Sequence, residues 1–176
     1  AGFAISITFL LYASLYGTTG VLQRGFDPAR TAAALERSDV SCVSLVPTML
    51  ARLLDHGWRP DEDLRFVLLG GGPIPESVLE RCREQSVPVC PTYGASETAS
   101  QVATATPRTA LEAPGTVGRA LSGVTVSILD GDVSCEPGET GQLVVDGPVV
   151  SPGYLDEHAG STALSGEPFE TGDLGY

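Results

Sequence analysis

Two short polar turns in this chain carry residues whose types suit nucleotide binding. The first, residues 92–98 with the sequence TYGASET, follows the apolar run at residues 87–90. Its hydroxyl and backbone N–H groups suit phosphate oxygens, and its carboxylate, Glu97, suits the Mg²⁺ that accompanies nucleotide phosphates. The second turn is residues 169–173, where the carboxylate of Asp173 can accept hydrogen bonds from both hydroxyls of a ribose. The two turns predict a nucleotide site in which both carboxylates converge on one cleft.

The segments that must position these turns alternate between strands and helices. Asp27 followed by Pro28 is a strong helix start, because the carboxylate caps free N–H groups and proline at the first helical position loses no hydrogen bond. Such an alternation predicts an α/β layer with a parallel sheet that binds ligands at the carboxyl ends of its strands. The loop at 70–73 and the turn at 92–98 both follow strands. The predicted strands are residues 21–22, 40–46, 64–69 and 87–90, and the predicted helices are residues 28–38, 47–57 and 75–85.

The pattern changes after Pro107, where glycine and proline interrupt any helix. Residues 124–129 and 141–145 are typical of strands, and residues 130–132 and 137–139 are typical of turns. The predicted fold is therefore α/β: a parallel-type sheet with flanking helices over residues 1–112, followed by a small β-rich, barrel-like subdomain over residues 113–176.

Each candidate site residue also has a purely structural interpretation. The triple glycine at 70–72 is either a flexible turn or a backbone wall for a flat base; it matches neither GxGxxG nor the lysine-bearing phosphate loop. Tyr93 is either a core aromatic or a ring that stacks on a base. Glu97 is either a solvated surface charge or a group aimed at a cleft. Asp173 either caps its turn or holds a sugar.

Charge limits the classes of partner. The chain has 22 acidic and 10 basic residues, and every basic residue is arginine, which gives a net charge of −12. An acidic surface repels nucleic acid and anionic membranes, so neither is expected as a main partner. The lysine-free acidic composition favours adaptation to concentrated salt, and a GC-rich genome is the alternative explanation.

The cysteines and the apolar beginning of the chain indicate the cellular compartment in which the protein is expected. Cys42, Cys82, Cys90 and Cys135 show no CxxC pairing, which argues against a zinc site and favours reduced thiols in a cytoplasmic protein, with a catalytic cysteine as the alternative. The apolar run at 1–16 is short for a membrane span, which needs about 20 apolar residues, and a buried helix is expected instead. A chain that begins inside a core helix is expected to be part of a longer protein.

Several of these segments together resemble one known superfamily. Residues 93–98 (YGASET) resemble the YGxTE signature of adenylate-forming enzymes: the acyl-CoA synthetases, luciferases and adenylation domains of peptide synthetases. The other matches, in the superfamily's order, are to VPTML at 46–50, the base-binding glycines at 69–73, GELxxxGxxxxxGY at 141–154 and YxTGD at 169–173. Together they cover nearly the whole chain.

The resemblance implies a two-step reaction: a carboxylic acid is adenylated by ATP, and the acyl group then passes to the thiol of coenzyme A. It implies that Ser96 and Glu97 act catalytically, with Ser96 on the α-phosphate and Glu97 on Mg²⁺, and that Asp173 binds ribose. It also places Gly71, Gly72, Pro73, Thr92, Tyr93 and Gly94 at the nucleotide, and Ser100 and Gln101 toward the acyl substrate. A homo-oligomer is compatible with the resemblance.

Within the superfamily, residues 25–28, 68–73 and 98–102 are similar to the 2-succinylbenzoate–CoA ligases of menaquinone biosynthesis. Ser96 stands where the superfamily usually has threonine, and keeps the hydroxyl. The superfamily's lysine-bearing phosphate loop and C-terminal lysine domain have no counterpart here, so the chain is expected to be an internal fragment of the large N-terminal domain, inactive alone. The alternatives are another acyl- or aryl-CoA ligase, an amino-acid adenylation domain, a non-catalytic nucleotide-binding module and a plain structural fragment.

Overall fold

The computed structural model describes residues 14–37, 40–156, 160–163 and 168–176. The chain divides into two compact units, which we call the α/β unit (Ala1–Tyr93 with Ala103–Arg119) and the β unit (Gly94–Val102 with Ala120–Tyr176). Most of the helix predicted at residues 1–16 lies outside the described residues. The subdomain boundary predicted between residues 112 and 113 stays a prediction.

The α/β unit is built on a sheet whose first three strands are parallel, as the alternation of segments predicts. The strand order is β1-β2-β3-β4-β5, and β4 pairs antiparallel with β3. The elements are α1 (Pro28–Leu35), β1 (Cys42–Leu45), α2 (Pro47–Asp55), β2 (Phe66–Leu69), α3 (Glu76–Glu84), β3 (Val89–Tyr93), β4 (Ala103–Thr104), α4 (Pro107–Glu112) and β5 (Arg119–Ala120).

The predicted helix start at Asp27 is confirmed. Its carboxylate accepts a hydrogen bond from the backbone N–H of Arg30 at 2.9 Å, and Pro28 occupies the first turn. This satisfies one of the N–H groups that a helix leaves unpaired at its start. The strand predicted at residues 21–22 is wrong: both side chains are exposed, and neither residue is in a strand.

The core of the α/β unit lies between the helices and the sheet. Leu50 and Leu53 of α2, Val67 and Leu69 of β2, and Cys82 of α3 have no exposed area. Burying a leucine or valine side chain fully contributes about 1.5–3 kcal/mol. This packing fixes the strand ends from which the loops at 70–73 and 94–102 leave the sheet.

The β unit contains a four-stranded antiparallel sheet with the order β11-β8-β6-β7 and a separate β9–β10 pair. Within the described residues the four-stranded sheet is open, with β7 and β11 at its edges, so it does not close into the expected barrel. The α/β fold class and the β-rich second part are confirmed. The strands are β6 (Thr125–Asp130), β7 (Val133–Ser134), β8 (Gly141–Asp146), β9 (Gly153–Asp156), β10 (Gly160–Ala163) and β11 (Phe169–Gly175).

The turn predicted at residues 130–132 is the hairpin between β6 and β7. Asp130 pairs with Val133, and Gly131 has a φ of +60°, which glycine adopts without steric cost. Across the described residues, helices long and apolar enough to span a membrane are absent.

Candidate functional site

The loop after β2 is anchored at its first residue and then exposes its backbone. The N–H of Gly70 donates to the carbonyl of Leu45 at 3.4 Å, and a Cβ at position 70 would lie 2.6 Å from Cγ2 of Thr92. Residues 71–73 are exposed, and Gly71 has a φ of +82°. An exposed backbone without bulky side chains suits the predicted wall for a flat base, a role that stays a prediction for Gly71, Gly72 and Pro73.

The end of β3 places Thr92 and Tyr93 directly before the second loop. The hydroxyl of Thr92 donates to the carbonyl of Ala103 at 2.8 Å and lies 2.9 Å from the hydroxyl of Thr104. It therefore ties β3 to β4, a contact that the residue type of Thr92 alone does not indicate. Tyr93 is half-buried. The nucleotide-binding roles of Thr92 and Tyr93 stay predictions.

We call residues 94–102 the Glu97 turn. It folds back on itself so closely that a Cβ on Gly94 would lie 1.5 Å from the carbonyl oxygen of Ser100. Two residues without the freedom of glycine have positive φ, Ala99 at +53° and Ser100 at +105°. Gly94 is therefore required because the two ends of the turn touch.

The turn presents both predicted catalytic side chains near its tip. Ser96 is exposed and Glu97 is half-buried, and both lie in a short 3₁₀ turn, Ser96–Thr98. The carbonyl oxygen of Glu97 accepts a hydrogen bond from the backbone N–H of Ser151 at 2.6 Å. The hydroxyl of Ser151 in turn donates to the carbonyl of Gly153 at 3.1 Å. The segment that follows β8 therefore braces the turn, a contact that no motif in the sequence indicates.

A single carboxylate beside a hydroxyl fits Mg²⁺ that arrives bound to a nucleotide. Mg²⁺ is usually held by one or two carboxylates together with substrate phosphates and water. Glu97 is one such carboxylate, half-buried beside the exposed Ser96, and its role as a Mg²⁺ ligand stays a prediction. Ser100 and Gln101, the predicted substrate-binding residues, are both half-buried at the end of the same turn. Their role stays a prediction.

Residues 169–173, predicted as a turn, lie in strand β11 instead, because most residues of this strand pair with β8. We call residues 171–173 the Asp173 bulge, because here three residues of β11 lie opposite one residue of β8. The hydroxyl of Thr171 donates to the carbonyl of Leu143 at 2.8 Å and accepts from the N–H of Asp173 at 3.1 Å. Gly172 has a φ of +77°. Asp173 is exposed, as a group that binds a sugar must be.

Both carboxylates of the predicted site belong to the β unit. Glu97 lies on the Glu97 turn and Asp173 on the edge strand β11. Their convergence on one cleft stays a prediction.

Three of the four thiols, those of Cys82, Cys90 and Cys135, lack the lowered pKa of a catalytic nucleophile. Burial raises the pKa of Cys82 and the pKa of Cys90 to about 11. Desolvation and the carboxylates of Glu139 and Asp130 also raise the pKa of Cys135. The thiolate is the reactive form, so these three groups stay protonated and unreactive at neutral pH.

An apolar groove of about 220 Å³ lies in the α/β unit, apart from the predicted site residues. Residues of α3, of the segment from there into β3, and of α4 with the residues after it line this groove, among them Leu79, Cys82 and Leu111. Its lining is mostly apolar, with Arg83 and Ser86 as its polar side chains, and it includes none of the predicted site residues.

The family described as AMP-binding enzyme matches residues 1–155 of this chain. The 2-succinylbenzoate–CoA ligase of Bacillus licheniformis is 40% identical over 171 residues, which cover 97% of this chain and 36% of the relative. That of Bacillus subtilis is 41% identical over 172 residues, which cover 97% and 35%. The chain thus spans about a third of the length of the curated relatives it matches.

Solved structures share the fold. The o-succinylbenzoate CoA synthetase of Bacillus subtilis, in complex with its acyl-adenylate intermediate, gives a TM-score of 0.87 at 36% identity, over 98% of this chain and 36% of that one. The same enzyme with ATP and magnesium ion gives 0.85 at 36% identity, over 98% and 37%. An amide bond synthetase from Marinactinospora thermotolerans gives 0.75 at 34% identity, over 88% and 33%.

Proposed function

The chain belongs to the AMP-binding enzyme family, and on that premise we propose that the full-length protein is an ATP-dependent acid–CoA ligase acting on 2-succinylbenzoate in menaquinone biosynthesis. The observation that carries this proposal is the identity of about 40% with 2-succinylbenzoate–CoA ligases over 97% of the chain. The likeness to a structure that holds an acyl-adenylate supports the same chemistry.

The proposed reaction has two displacements. A carboxylate oxygen of the acid bonds to the α-phosphorus of ATP, and the bond to pyrophosphate breaks. The sulfur of coenzyme A, which loses its proton, then bonds to the acyl carbon, and AMP leaves with the electrons of the broken acyl–oxygen bond. Neither step needs a nucleophile from the protein, so the chain's task is to position reactants and to stabilise charge on phosphate. Protonated thiols at Cys82 and Cys90 are compatible with that task.

The Glu97 turn supplies the phosphate side of the proposed nucleotide site. Ser96 donates a hydrogen bond to the α-phosphate, and Glu97 holds Mg²⁺. The ion, when bound, neutralises negative charge on the phosphates. Asp173 accepts hydrogen bonds from the ribose hydroxyls, and the Asp173 bulge leaves it exposed for this.

The remaining roles follow the same proposal. Gly71, Gly72, Pro73 and Tyr93 border adenine, and Thr92 and Gly94 shape the strand end beside it. Ser100 and Gln101 lie toward the acid. The strained backbone at Ser100 supports this assignment, because residues in sparsely populated conformations cluster at functional sites. We further propose that residues 1–112 and 113–176 form the two subdomains.

The proposal extends to compartment and conditions. Four free cysteines favour the reducing cytoplasm. The excess of acidic residues over arginine, 22 against 10, favours a protein adapted to concentrated salt. We also propose a homo-oligomer. Sedimentation of the full-length protein in low and high salt tests its assembly, and thermal unfolding across the same salt series tests salt adaptation.

A second candidate is another user of acyl-adenylates. The likeness to an amide bond synthetase supports it, because the name of that protein describes the formation of an amide bond and not of a coenzyme A thioester. A panel of carboxylic acids in ATP–pyrophosphate exchange with the full-length protein identifies the acid that is adenylated, and an assay of acyl transfer to coenzyme A or to an amine separates the two candidates. Exchange that depends on 2-succinylbenzoate is the expected result. Exchange with amino acids alone identifies an adenylation domain, and nucleotide binding without any exchange identifies a non-catalytic module.

A carboxylate substitution tests the role of Glu97. Glu97→Gln is expected to raise the Mg²⁺ concentration for half-maximal exchange by about tenfold or more, since a contact to a charged group contributes about 1.5–3 kcal/mol. Glu80→Gln, an exposed position on α3, is the matched control and should leave the Mg²⁺ dependence unchanged. An unchanged Mg²⁺ dependence in Glu97→Gln would remove the assignment.

A further inference from the structure

The buried hydroxyl of Thr98 makes both of its hydrogen bonds to a single residue. Thr98 is 1% exposed. Its Oγ1 accepts from the backbone N–H of Ala95 at 3.0 Å and donates to the carbonyl of Ala95 at 3.1 Å. A hydroxyl has one hydrogen to donate, so Thr98 cannot donate to a phosphate without breaking this contact. By residue type the hydroxyls of residues 92–98 suit phosphate oxygens, and the structure gives the hydroxyl of Thr98 a different use.

The backbone hydrogen bonds of Ala95 fix the backbone from which the side chains of Ser96 and Glu97 extend. Its carbonyl oxygen also accepts from the N–H of Thr98 at 3.3 Å and from the N–H of Ser100 at 3.1 Å. Three donors from two later residues thus close the chain over Ser96 and Glu97. The Thr98 hydroxyl is the one side-chain group among these donors, and it alone also satisfies the N–H of Ala95.

The rest of the turn is in a conformation that needs such a constraint. Ala99 and Ser100 have positive φ, and Gly94 touches the carbonyl of Ser100 so closely that a Cβ has no space. Backbone strain persists only where the surrounding contacts over-determine it. Without the Thr98 hydroxyl, the turn can relax these residues and carry Ser96 and Glu97 away from their positions.

We infer that Thr98 is a positioning residue. Its hydroxyl holds the turn so that Ser96 can contact the α-phosphate and Glu97 can contact Mg²⁺, and Thr98 itself contacts neither ligand. The inference rests on the proposed function, which gives Ser96 and Glu97 these ligands. A side chain that merely fills space could be replaced by valine, which has nearly the same shape. A positioning hydroxyl is restored by serine and lost in valine.

The test uses the full-length protein and three variants. Thr98→Val removes both hydrogen bonds and is expected to raise the Mg²⁺ concentration for half-maximal ATP–pyrophosphate exchange about tenfold. Thr98→Ser keeps the hydroxyl and should stay within about threefold of the original protein. Thr31→Val is the matched control, because Thr31 is also buried and bonds to Gln23 at 2.9 Å in the α/β unit. It should lower stability without changing the Mg²⁺ dependence.

A second measurement keeps the inference testable without activity. Amide hydrogen exchange in the peptide covering residues 94–102 should be at least tenfold faster in Thr98→Val than in Thr98→Ser, while a peptide from β8 should be unchanged. If Thr98→Val fails to fold, Thr98→Cys replaces it, because sulfur is a weak hydrogen-bonding group, and an intermediate effect is expected.

The possible outcomes distinguish failure of the inference about Thr98 from failure of the proposed function. Absence of exchange activity with every acid in the unmodified protein contradicts the proposed function, and the amide measurement then decides the inference alone. Normal activity together with wild-type Mg²⁺ dependence in Thr98→Val overturns the inference and leaves the function standing. Equal amide exchange in Thr98→Val and Thr98→Ser overturns it as well.

Discussion

The Glu97 turn and the Asp173 bulge each hold a carboxylate with a threonine, but they do so by different means. In both, the threonine hydroxyl donates to a backbone carbonyl and accepts from a backbone N–H. Thr98 makes both bonds within its own turn and is buried. Thr171 donates across to Leu143 on the neighbouring strand β8 and is half-buried.

The difference shows two ways of making a loop rigid. The Glu97 turn is self-contained, and its ends are so close that one added carbon atom has no space. The Asp173 bulge depends on the sheet ladder, where pairs on either side of residues 171–173 fix its ends. A substitution in the Glu97 turn should therefore lower the free energy of unfolding strongly, because the turn's own atoms leave no space. A substitution in the Asp173 bulge should lower it less, because strand pairing holds the ends of the bulge.

The largest expected effect is that of Gly94→Ala. Its new Cβ would overlap backbone atoms, which cannot move aside as a flexible side chain can. We expect the free energy of unfolding to fall by about 3 kcal/mol, measured by urea denaturation. Gly72→Ala is the matched control, since nothing lies within 4 Å of its Cβ, and it should change stability little. A small effect of Gly94→Ala would show that the turn is not limited by contact.

Thr171→Val should have an intermediate effect. It removes the bond to Leu143 and the acceptor for the N–H of Asp173, so the free energy of unfolding should fall by about 2 kcal/mol. Thr171→Ser should recover most of this loss. Calorimetric titration of the full-length protein with ATP should show weaker binding for Thr171→Val and unchanged binding for Thr171→Ser. If serine fails to restore both quantities, the hydroxyl does not support the Asp173 bulge.

Gly172→Ala should have the smallest effect. No atom lies within 4 Å of the added Cβ, so the cost is the positive φ of +77° alone. That conformation costs a residue with a side chain about 1 kcal/mol, which thermal or urea unfolding can resolve. A loss as large as that of Gly94→Ala would remove the distinction between the two loops.

Much of the fold could be predicted because its signals are local. Asp27 before Pro28 predicts a helix start, and the chemistry of capping operates within three residues. Apolar runs between helices predict the strands β1, β2 and β3, although the strand bounds differ by up to three residues. The strand predicted at residues 21–22 does not form. Valine favours a strand where its side chain packs against neighbouring strands, and these two side chains are exposed.

The sequence by itself determined the α/β order, the turn after β3 and the candidate residues Ser96, Glu97 and Asp173, because residue type and short spacing decide what a segment can do chemically. Only the tertiary structure decided that the hydroxyl of Thr92 joins β3 to β4, that Thr98 is buried against Ala95, and that Ser151 braces Glu97. Partners up to 54 residues apart in the chain make these contacts, and a threonine that faces a ligand and one that locks a turn look the same in sequence. Burial separates the two roles, and burial depends on how distant segments pack.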